Sequence, residues 1–167
     1  MKASALKSMA VVSMADGVRI GRVEDVLFDT VALRIAALTL TTTGGQSILP
    51  FSSVRSIGAD AVTVESETAA QAAEAQGSGG NVLRGLDDLL GLKIVSGEGN
   101  HIGDVREVLV DQASGALTEL EAHRGGMLGV GGTSVMIPTS AIRGIGPDLV
   151  TADMPAQRVE GEGAGTA

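Results

Sequence analysis

Arg19-Ile20-Gly21-Arg22-Val23-Glu24-Asp25-Val26-Leu27-Phe28-Asp29 returns later in the chain as His101-Ile102-Gly103-Asp104-Val105-Arg106-Glu107-Val108-Leu109-Val110-Asp111. A second stretch, Pro50-Phe51-Ser52-Ser53-Val54-Arg55-Ser56-Ile57-Gly58, returns as Pro138-Thr139-Ser140-Ala141-Ile142-Arg143-Gly144-Ile145-Gly146. Two copies of one unit stand end to end, so any function must be explained for a pair. What recurs is apolar spacing and turn chemistry, marked by Gly21 and Gly103, Asp29 and Asp111, Pro50 and Pro138, and Arg55 and Arg143. No nucleophile, metal-ligand set or phosphate loop recurs.

Within a unit the pattern is that of short strands. In the 19–29 stretch the apolar phase slips between Val23 and Val26, which predicts a bulge near Glu24-Asp25. Gly17 suits a turn with positive φ. Pro50 stops a fourth strand because it cannot donate to a ladder. Short strands with Gly/Asp turns predict a mainly β fold: two tandem small β-barrels with short helical turns at the linker. Closure would remove the sheet edges. The boundaries are 1–66 for the first barrel, 67–81 for an Ala/Gly-rich linker, 82–154 for the second barrel and 155–167 for a disordered tail. Residues 67–76 are Ala-rich and predict a short helix. Residues 81–90 read as one or two helical turns packed on the second barrel.

Composition narrows the function. Of 167 residues only Phe28 and Phe51 are aromatic, so the core is aliphatic and stacking platforms for single-stranded nucleic acid are missing. The formal charge of −8, with Lys and Arg scattered singly, argues against direct nucleic-acid binding. There is no cysteine, hence no disulfide or thiolate site. No window approaches the roughly 20 apolar residues of a membrane span. With no export signal in view, a cytoplasmic location without membrane insertion is the expectation.

The second repeat resembles the PRC-barrel family. The carrying residues are Leu90-Gly91-Leu92-Lys93-Ile94, Gly99-Asn100-His101-Ile102-Gly103-Asp104-Val105, Gly125-Gly126-Met127-Leu128-Gly129-Val130-Gly131 and Val135-Met136-Ile137-Pro138. The first repeat is similar through residues 17–29 and Ile48-Leu49-Pro50, without the long glycine-rich tip. The resemblance implies a small β-barrel. Members occur in the reaction-centre H subunit and in a ribosome maturation factor. This chain has neither the transmembrane helix of the one nor the distinct N-terminal domain of the other.

Candidate sites are few. The tip at residues 125–132 lacks the Lys-Ser/Thr pair and following helix of a phosphate loop. Its Met127, Leu128 and Val130 either plug a barrel end or form a small adhesive patch. Plugging is favoured because exposed apolar tips are costly, and the patch is the candidate partner contact. Asp29 and Asp111 read as turn carboxylates accepting backbone N–H groups. Asp25 and Glu107 read as solvated charges. Glu119 and Glu121 share a strand face without the spacing of a hard-ion loop. His101 and His123 read as surface residues without converging ligands. Arg55 and Arg143 suggest a shared bond, to Asp60 and Asp148 across the turn.

The expectation is therefore a non-enzymatic protein-protein interaction, adaptor or assembly module. It has no catalytic, cofactor or metal residues, and its partner is a protein or a second copy. The alternatives are a ribosome small-subunit assembly factor acting through a protein contact, a peripheral partner of a membrane electron-transfer complex, and a ligand-binding barrel.

Overall fold

A computed structural model describes residues 1–72, 83–125 and 132–153. The first repeat contributes β1 (Ala10–Ser13), β2 (Arg19–Asp29), β3 (Arg34–Thr42), β4 (Gly45–Pro50), β5 (Val54–Ile57), β6 (Ala61–Val64) and β7 (Gln71–Ala72). Then come β8 (Leu83–Gly85) and the single helical turn α1 (Leu86–Leu89). The second repeat contributes β9 (Lys93–Ser96), β10 (His101–Val110), β11 (Leu117–Gly125), β12 (Gly132–Pro138), β13 (Ile142–Ile145) and β14 (Leu149–Ala152). The chain is mainly β, as its turn spacing predicts.

The two sheets share one topology. The first runs β5-β6-β1-β2-β3-β4-β7 and the second β12-β11-β10-β9-β14-β13. In each, one pair of strands is parallel, β1 with β6 and β9 with β14, and other neighbours are antiparallel. The predicted bulge is present: the β2–β3 register shifts between Val23 and Asp25, and the β10–β11 register between Val105 and Glu107.

Full closure of the sheets does not occur. No ladder joins β4 to β5 or β12 to β13 among the described residues. At both places a proline ends the strand and a 3-10 turn follows, Phe51–Ser53 or Thr139–Ala141. The missing proline N–H and the corner it introduces interrupt the hydrogen-bonded path there. Two further expectations are corrected. Residues 67–76 do not begin a helix: Glu67–Ala69 is a 3-10 turn, and β7 then pairs with β4 at Ser47 and Ile48. Strand pairing outweighs the weak helical preference of alanine. Residues 83–85 do not lie on the second barrel either, but pair with Leu27, Phe28 and Asp29 of β2.

That last pairing has a mirror image. The segment before β1 places Lys2 against Leu109 of β10. Gly85, the sequence counterpart of Lys2, lies against Leu27, the counterpart of Leu109. Each repeat thus lends its leader to the other, and a pseudo-two-fold relates them. The axis passes between the β2–β3 and β10–β11 turns, where the equivalent residues Arg34 and Ala116 face each other. There Ile35 N–H donates to Gly115 O at 2.8 Å and Leu117 N–H to Leu33 O at 2.9 Å. One apolar cluster runs through both repeats and includes Leu6, Phe28, Leu38, Leu86, Leu89, Val108 and Leu120.

Candidate functional site: a seam, an open edge and a cleft

The seam is held by the carboxylates beside the two bulges. Glu107 is buried and accepts Ser4 N–H at 3.0 Å, Ser4 Oγ at 2.6 Å and Val108 N–H at 3.2 Å. Asp25, at the equivalent place, accepts Val26 N–H at 2.8 Å and the Leu86 N–H of α1. Neither is a solvated charge, because each satisfies backbone donors of the other repeat's leader. Lys7 joins the two leaders through Asp87 at 2.7 Å, and that bond raises the lysine above its ordinary value. Arg84 Nη1 donates to Gly146 O at 2.8 Å across the same seam.

The turn aspartates behave as read. Asp29 Oδ1 accepts Val31 and Ala32 N–H, and Asp111 Oδ1 accepts Ala113 and Ser114 N–H. The N–H groups of Ser114 and Ala113 hold Asp111 below its ordinary value of 3.8. Burial pushes Asp25 above the same value, and nearby Asp87 adds to the shift. The signs are opposite. The stability that Asp111 contributes is present above 3.8 and lost as pH falls through its lowered value. Asp25 favours the folded state most when protonated, and that contribution fades as pH rises through its raised value. A carbon-detected carboxyl titration will place the Asp111 midpoint below 3.8 and the Asp25 midpoint above it. The reverse order would contradict the hydrogen-bonding described.

Other sequence candidates settle differently. Arg55 pairs with Glu65, and Arg143 with Asp153 at 3.4 Å, not with Asp60 and Asp148. The partners lie on or just past the adjacent antiparallel strand, which the arginines reach sideways. These pairs are exposed and worth little to stability. His101 is an exposed residue hydrogen-bonded to Asp104 at 3.0 Å. His123 is half-buried, and its Nδ1 has no partner among the described residues. Among those residues no group of three His, Cys, Asp or Glu converges as for a metal ion. Gly21 and Gly103 sit where a Cβ would fall 2.6 Å from Thr41 O and 3.0 Å from His123 O, so the close approach of paired strands excludes a side chain. Met127, Leu128 and Val130 lie outside the described residues.

Two surface features break the symmetry. The outer edge of β4 is covered by β7, and Ile48 there is 8% exposed. Its counterpart Met136 on β12 is 40% exposed, and no described strand pairs with the outer edge of β12. The other feature is a cleft of about 560 Å³ in the first repeat, walled by Ser8, Arg19, Arg22 and Thr41.

The sequence profile of the PRC-barrel domain matches the chain twice, over residues 1–71 and 82–158. The chain belongs to the PRC-barrel family. The two matches coincide with the two sheets related by the pseudo-two-fold, so this is a tandem PRC-barrel protein. No curated protein matches the chain. Among the described residues, no helix of this PRC-barrel pair is long and apolar enough to cross a membrane.

Proposed function

We propose that this PRC-barrel pair is a non-enzymatic interaction module that receives an extended segment of a partner protein along the outer edge of β12. One observation carries the reading. The same edge in the first barrel is covered by an antiparallel strand, and the second lacks that cover among the described residues. Strand addition at an open edge supplies main-chain hydrogen bonds, with alternate side chains giving selectivity. Residues 132–138 carry no charge, so the edge lacks the charged side chains that discourage pairing and has only Pro138 at its end.

The partner's chemistry follows from the face beside the edge. Met136 lies opposite Glu121, and Pro138 opposite Glu119. An apolar side chain over Met136 flanked by Lys or Arg suits that face, as does the chain's charge of −8. Photo-methionine at position 136 of the full chain tests this in cells. The expected crosslink maps to an extended basic segment of another protein, and the purified pair weakens at least about tenfold with Met136→Lys. An Ile48→Met control at the covered edge stays silent. Crosslinking to residues beyond 153 of the same chain, or unchanged affinity in the lysine variant, overturns the reading.

A further inference from the structure

The cleft in the first repeat combines features that its sister position lacks. Arg19 and Arg22 line it from β2, and neither guanidinium group forms a hydrogen bond or ion pair among the described residues. Their counterparts are His101 and Asp104, which are hydrogen-bonded to each other at 3.0 Å. Ser8 lines the cleft with φ of +71°, a left-handed conformation that its counterpart Gly91 adopts at +91° without steric cost. A serine held there carries backbone strain that the glycine does not. Ser8 brings to the lining it shares with Arg19 and Arg22 a hydroxyl without a hydrogen-bond partner among the described residues. Thr41, Thr42 and Thr43 complete the lining, with the Thr42 hydroxyl already donating to Gly45 O at 2.8 Å. Glu24 is the one carboxylate in the lining, and it accepts Gln46 Nε2 at 2.7 Å and Thr41 Oγ1 at 3.3 Å. Ile20 and Val23 supply an apolar floor.

The geometry points to a binding site for a small organic anion in this cleft, its carboxylate or phosphate head on Arg19, Arg22 and Ser8 and an apolar part over Ile20. The volume lies within the range of small-molecule sites. Guanidinium groups bind such heads through charge-assisted hydrogen bonds, and strongly when they act together. The sister position carries its cations elsewhere, with Arg106 and Arg124 as the counterparts of Glu24 and Thr42, so it lacks this Arg19–Arg22–Ser8 arrangement.

The second barrel serves as an internal control in one tube. The ¹⁵N-labelled full chain is titrated with acetate, hexanoate and inorganic phosphate while its amide signals are followed. Saturable shifts are expected at residues 19–24 and 41–43, with hexanoate binding tighter than acetate. Residues 101–106, beside the differently placed Arg106 and Arg124, are expected to shift less. Arg22→Asp, which copies the sister residue, and Arg19→Ala each weaken hexanoate at least about tenfold. Both positions are exposed, and an unchanged urea midpoint separates lost binding from lost folding. Non-saturating shifts, equal shifts in both repeats, or unchanged affinity in both arginine variants would overturn the assignment. The readout does not involve β12, so its outcome is independent of the strand-addition reading.

Discussion

Gly115→Ala is expected to destabilise the protein by about 2–3 kcal/mol. A Cβ at this position falls 2.6 Å from Cε1 and 2.8 Å from Cζ of Phe51, a buried ring of the other repeat. The glycine also has φ of +76°. The two costs are separable, because the counterpart Leu33 adopts φ of +55°. A side chain is therefore tolerated by the backbone at this turn, and the strain contributes only about 1 kcal/mol. The remainder comes from displacing the ring. Urea unfolding of the single variant, of Phe51→Thr and of the pair measures the coupling. The pair is expected to recover about 1–2 kcal/mol relative to additivity. A loss below about 0.5 kcal/mol for Gly115→Ala would mean that the two repeats do not meet at this contact.

The second large effect is expected from Leu86→Ala, at about 2–5 kcal/mol. Leu86 is fully buried on α1, beside the strand that its repeat lends to β2. Its counterpart is Ala3, also fully buried, so the two leaders fill their sites with unequal volumes. Truncating Leu86 leaves a cavity that the short α1 turn cannot collapse into while Asp25 holds the Leu86 N–H. Hydrogen exchange should show the loss centred on residues 83–85, with β12 and β13 keeping their protection until global unfolding. Uniform loss across both repeats, or a cost below about 1 kcal/mol, would show that the leader is not a separate docking element.

Local chemistry was legible in the residues and reciprocity was not. The slip in apolar phase at Glu24 announced a bulge because side chains must change face there. Asp29 and Asp111 announced their turns because a carboxylate two residues before free N–H groups closes an Asx turn. Leu86 and Leu89 announced burial, but an apolar pattern names no partner, so the leader's place on β2 needed coordinates. Asp25 and Glu107 were misread for a related reason. A charge beside a bulge is ordinarily solvated, and only the incoming leader turns it into an acceptor for buried donors. The cleft had a signal that went unused: where the repeats align, Arg19 and Arg22 stand against His101 and Asp104. Comparing the copies for their differences, not only their likeness, would have found it.

The exchange of leaders around a pseudo-two-fold has one more consequence. Subunits assembled this way from separate chains fall apart on dilution, and any substitution in them appears on both sides of the axis. Covalent fusion lifts both constraints. Assembly no longer depends on how much protein is present, and each half accepts changes its twin does not share. Phe51 can thus grow against a glycine while Thr139 and Leu33 stand at the mirrored positions. One half is free to specialise its surface while the other keeps the joint framework standing.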